Sequence, residues 1–122
     1  MSPAARLLIA LAGLSGALGV ALSAAAAHIT GGNLATAAQF LLFHAPGLLA
    51  LAALIAAGAV QPTLAQLAGY VIVLGLTLFC GDLSRRAFSG MALFPKAAPT
   101  GGILLMLGWV LVAVSALLRL RG

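Results

Sequence analysis

The sequence predicts an all-α integral membrane protein, four antiparallel transmembrane helices in one bundle, on three observations. Hydrophobic residues make up 64% of the 122 positions, with a mean hydropathy of +1.25. Six Lys or Arg and one Asp or Glu are the only charged side chains, whereas a soluble domain carries charge on roughly a quarter of its residues. Four apolar runs of about 20 to 27 residues each have the length needed to cross ~30 Å of hydrocarbon. In that medium a helix satisfies its backbone hydrogen bonds within itself. The turns between the first three runs are too short for anything but antiparallel neighbours, so residues 1–122 read as a single four-helix transmembrane domain with both ends on one side.

The first helix is expected at about residues 4–28. Met1 to Ala27 imitates a secretory signal, with Arg6, an apolar stretch and Ala-x-Ala choices before His28. The apolar run from Leu7 to Ala27 is longer than a signal core of about 7–15 residues, so the expectation is a retained, spanning helix. Gly13, Gly16, Gly19 and Ser23 recur at three- and four-residue spacing and are expected to form a helix-packing face, where another backbone can approach closely.

Thr30, Gly31, Gly32 and Asn33 supply turn chemistry, and a second helix is expected at about 35–59. It carries Thr36, Gln39 and His44 in its first half, and Pro46 removes the backbone hydrogen bond to the Leu42 carbonyl, which predicts a kink. After a turn containing Gln61, Pro62 suits the start of a third helix at about 62–88. Its Gly69, Gly75 and Gly81 are six apart, a rotation of about 600°, so they are expected to serve two neighbours rather than one. Asp82, Ser84, Arg85 and Arg86 end it at the interface. Ser89 to Thr100 is the longest connection, and the fourth helix, about 101–120, opens with the packing residues Gly101 and Gly102, carries Gly108 and Trp109, and closes on Arg119 and Arg121.

The net charge of +5 comes from Arg6, Arg85, Arg86, Lys96, Arg119 and Arg121, each beside an apolar run. They read as interfacial anchors for anionic headgroups of the lipid bilayer. No basic stripe interleaved with aromatics is present, so nucleic acid is not an expected partner. The basic count of the two sides is a tie. Arg6 and the terminal amine precede a first helix whose following loop is uncharged, which favours cytoplasmic termini and an outer His28. A single cysteine, Cys80, allows no intrachain disulfide and no cysteine-built metal centre.

Candidate polar residues sort by depth. His28 and His44 differ by ~15 Å along the bundle, which does not suit one haem held between them. Two histidines, one aspartate and one cysteine give no metal-ligand spacing, and no metal is expected. Asp82 has Arg85 and Arg86 three and four residues on, the spacing of a local ion pair. The functional alternative is a proton or ion relay formed by His28, His44, Asp82, Arg85 and Arg86. His44, about 13 Å below the outer boundary, needs a partner such as Gln39, Thr36 or the Leu42 carbonyl. It serves either as interhelical glue or, with Gln39, as a contact for a quinone-like headgroup; a haem on His44 alone is the other cofactor option. No nucleophile–base pair or paired carboxylates can be assembled, so the chain does not read as an enzyme.

Several strings together carry a family resemblance: Gly13-x-x-Gly16-Ala17-Leu18-Gly19 running to Ala27-His28, Thr36-Ala37-x-Gln39-Phe40-x-x-Phe43-His44-Ala45, Leu78-Phe79-x-Gly81, and Pro99-Thr100-Gly101-Gly102 with Gly108-Trp109. The chain resembles, over nearly its whole length, the small bacterial inner-membrane proteins of domain-of-unknown-function family 423, to which eukaryotic transmembrane protein 256 is similar. The resemblance implies a four-helix inner-membrane protein without an established biochemical role, in which His28, His44 and the Pro99 to Gly102 turn belong to the shared pattern. Ser23 and the alanines before His28, Pro46 after His44-Ala45, and the run from Asp82 to Arg86 depart from it. The leading expectation is a non-catalytic accessory or assembly subunit that packs against a larger membrane complex or itself. A small transporter or channel component with a His/Asp relay, and a quinone- or haem-contacting redox accessory, are the alternatives.

Overall fold

The computed structural model of the protein describes residues 1–29 and 33–119, with helices α1 (Pro3–Ala26), α2 (Leu34–Ala57), α3 (Pro62–Ser89) and α4 (Ala97–Arg119). All four are long and apolar enough to cross a membrane. The expected turn residues Thr30, Gly31 and Gly32, and the expected close of the last helix at Leu120 and Arg121, lie outside the described residues.

Helix starts follow capping chemistry. Ser2 Oγ accepts the Ala5 amide at 3.1 Å ahead of Pro3, and Gln61 Oε1 accepts the Leu64 amide at 2.6 Å ahead of Pro62. Each proline occupies a position whose N–H would be unpaired anyway. Gly58 and Gly90 end α2 and α3 in the left-handed region, with φ of 75° and 72°, which glycine adopts without a Cβ penalty. The fourth helix starts at Ala97, ahead of the expected Gly101. Pro99 fits inside its first turn, and Lys96, at φ 64°, turns the chain into it. Pro46 lies inside α2, which continues through it.

The bundle is antiparallel. At one end the Gln61 amide donates to the Ser115 carbonyl at 2.8 Å, Arg119 Nε donates to the Gly58 carbonyl at 3.0 Å, and the Tyr70 hydroxyl donates to the Ala4 carbonyl. These bonds gather the start of α1, the α2–α3 turn and the end of α4. Packing runs α1 on α2, α2 on α3 and α3 on α4, with a light contact of α1 on α3. Leu8, Leu41, Leu48, Ile72, Leu76 and Leu105 fill the centre.

Small residues set how closely these pairs approach. A Cβ on Gly75 would stand 2.8 Å from the Gly101 carbonyl oxygen, one on Gly101 2.6 Å from the Phe79 nitrogen, and one on Gly108 2.5 Å from Ile72 Cγ1. The α3–α4 pair is therefore a backbone contact that excludes larger side chains. Gly69 instead faces Leu8 of α1 and Leu51 of α2, so it and Gly75 serve different neighbours. On α1, Gly16 and Gly19 meet Ala45 and Leu42 of α2, but a Cβ on Gly13 would find nothing within 4 Å and Ser23 is exposed. The stripe that α1 buries is Ala5, Leu8, Ala12, Ser15 and Gly19, so the expected glycine face is divided between α2 and the lipid side.

The third helix outruns its neighbours. Cys80 Sγ lies 3.5 Å from the Ala37 carbonyl near the start of α2, and Gly101 near the start of α4 abuts Phe79. Residues 84–89 therefore project about 9 Å past the first residues of both neighbours.

Candidate functional site

Among the described residues the bundle holds two centres at which a buried polar side chain, His44 or Asp82, is bonded to a second element. His44, 9% exposed on α2, places Nδ1 2.7 Å from the Phe40 carbonyl one turn earlier. From α4, Trp109 Nε1 stands 3.1 Å from His44 Nε2. An indole N–H only donates, so Nε2 is the acceptor and Nδ1 carries the proton toward Phe40. Both imidazole nitrogens are thus occupied. Phe40 stacks on it at 5.9 Å between ring centroids and meets Phe79 of α3 at 4.5 Å with the rings tilted by 33°. These rings line a crevice of about 660 Å³ between α2 and α4, opened by the missing side chain at Gly102. Trp109 is 42% exposed at its mouth.

Asp82, 0% exposed, forms the second centre at the opposite end of the bundle from the Gln61–Ser115 bond. Its Oδ2 accepts from Arg86 Nε at 2.9 Å, and its Oδ1 accepts from the Leu93 amide at 2.8 Å. One carboxylate thereby fixes both the last turn of α3 and the connection that returns to α4. Among the described residues this is the one ion pair.

The structure does not bring the polar residues named from the sequence together. His28 is exposed just past α1, His44 lies about halfway along α2, and Asp82 is tied up locally with Arg86 while Arg85 is exposed. Gln39 is exposed and is not the partner of His44; nor is Thr36 or the Leu42 carbonyl. A second groove of about 340 Å³ between α1 and α3 contains Ser15 and Thr77, but their hydroxyls turn back onto the Leu11 and Val73 carbonyls. Among the described residues, every buried side-chain nitrogen or oxygen has a partner, and no three potential metal ligands cluster. An iron or quinone reaching for His44 Nε2 would first have to displace the Trp109 N–H.

Trp109, Phe40 and Phe79 stand in the strings that carry the family resemblance, but the sequence did not mark them as site residues. One signal pointed to Trp109: an indole N–H in the middle of an apolar helix needs an acceptor, and His44 was the side chain seeking a partner at similar depth.

Four apolar antiparallel helices whose buried polar groups are satisfied internally define a small multi-helix membrane protein. The family described as "Protein of unknown function (DUF423)" matches residues 16–102, and the chain belongs to it. Among similar proteins, the UPF0382 inner membrane protein YgdD of Escherichia coli (strain K12) is 29% identical over 123 residues, which covers 92% of this chain and 90% of the relative. YgdD of Shigella flexneri is 29% identical over the same span. No solved structure matches the chain.

Proposed function

We propose that the protein is a non-catalytic accessory or assembly subunit of the inner membrane that works by packing against a larger membrane-protein complex or against its own copies. The supporting observation is the outward face of α1. Ala10, Gly13, Ala17, Ala21 and Ala24 are all exposed, at spacings of three and four residues that keep them within about 80° of one another. A helix face that met only acyl chains would have no use for so flat a surface, whereas close helix–helix contact in lipid depends on one. The relatives' designation as inner membrane proteins supports the location, and the charge around the first helix supports cytoplasmic termini.

The relay reading has less support, since it needs His28, His44 and Asp82 along one wetted path. Purification in mild detergent followed by mass spectrometry tests the proposal: a reproducible larger partner or a defined homo-oligomer is expected. A chain that runs as a lone monomer under every mild condition contradicts it. A visible absorption spectrum of the same sample decides for or against a haem on His44.

A further inference from the structure

We propose that the projecting end of α3, with the connection back to α4, binds the headgroup of an anionic phospholipid. This goes beyond the packing role and involves a different face of the molecule. Residues 84–89 stand clear of α2 and α4, so their polar side chains lie at headgroup depth rather than inside the bundle. Arg85, Arg86 and Lys96 are exposed there, and Asp82, the carboxylate that would offset them, is buried and already neutralised by Arg86. Among the described residues Arg85 and Lys96 make no ion pair, and they remain for an outside anion.

The same surface carries apolar side chains in the arrangement that a lipid needs. Phe88 and Met91 are each 59% exposed, and Phe94, a few residues further along the chain, is exposed as well. Exposed rings and a thioether in the same stretch of chain as an exposed arginine and lysine suit the boundary between acyl chains and phosphates. The geometry is held in advance: Asp82 accepts both Arg86 Nε and the Leu93 amide, which pins the connection over the end of α3. The N-terminus of α4 opens beside Lys96 and adds its partial positive charge. A phosphodiester with net negative charge fits this combination. A zwitterionic lipid presents its own ammonium to the same cations and fits less well.

Native mass spectrometry of the purified full chain, titrated with phosphatidylglycerol or with phosphatidylethanolamine of the same acyl chains, tests the assignment. Phosphatidylglycerol should be retained preferentially. Each cation near a membrane surface contributes about five-fold in affinity, so Arg85→Gln with Lys96→Gln should lower its retention roughly twenty-five-fold. Both side chains are exposed, so thermal melting should be unchanged, and Arg6→Gln at the other end of the bundle should lower retention by no more than the roughly five-fold of one interfacial cation. Equal retention of the two lipids, or an equal effect of Arg6→Gln, overturns the site. So does a double variant that keeps its lipid and instead sheds a co-purifying protein, which would make this surface a protein contact.

Discussion

Nε1 of Trp109 stands 3.1 Å from Nε2 of His44, and this hydrogen bond ties α4 to α2 across the crevice beside Phe40 and Phe79. Both groups are donor or acceptor in one defined sense, so removing either leaves the other unpaired in an apolar setting. Trp109→Phe and His44→Phe should each destabilise the bundle by about 1–2 kcal/mol. The double variant should cost less than the two single losses added, with a coupling of about 0.5–2 kcal/mol. Reversible unfolding of the four proteins in mixed micelles measures this, and strictly additive losses would contradict the pairing.

The glycines of α4 should behave oppositely although two of them are adjacent. Gly101→Ala would drive a methyl group into the Phe79 backbone and should cost about 1–3 kcal/mol. Gly102→Ala meets open space, and its only large effect is the better helix propensity of alanine, up to about 1 kcal/mol in favour. Melting temperatures of the two variants should move in different directions; a similar fall in both would mean that α4 is rotated from its place here.

Particular residues show how far the sequence could lead. Chain length and the four uncharged runs made the helices legible, because hydrocarbon thickness dictates helix length and leaves few alternatives. Asp82 illustrates a half-readable site. Its pairing with Arg86 follows from helix spacing, but the Leu93 amide has no side-chain signature and lies in the least regular connection. The face of α1 was harder still. Gly13 and Gly19 are ~120° apart round the helix, so one glycine pattern spans two surfaces, and only the position of α2 decides which of them is buried. Trp109 and His44 are 65 residues apart and meet only once the rotation of both helices is known.

Asp82 should govern the α3–α4 connection. Asp82→Ala removes both acceptors, while Asp82→Asn keeps an oxygen for the Leu93 amide but presents an uncharged amide to Arg86. Hydrogen exchange at Leu93 should accelerate in both, more in the alanine variant, with a loss of about 1–3 kcal/mol for the unpaired groups. Exchange in the centre of α3, around Ile72 and Leu76, should change little. Unaltered protection at Leu93 would show that the carboxylate does not hold the connection.

The packing role rests on the exposed stripe of α1, and one comparison reaches it directly: the native mass of the complex extracted in mild detergent, for the natural chain and for a variant with Gly13→Leu and Ala17→Leu. Neither side chain touches the rest of the bundle's core, so the variant should melt as the natural protein does. It should nevertheless run at a lower mass, stripped of its partner or of its second copy. A variant that keeps the same complex, mass for mass, would contradict the account.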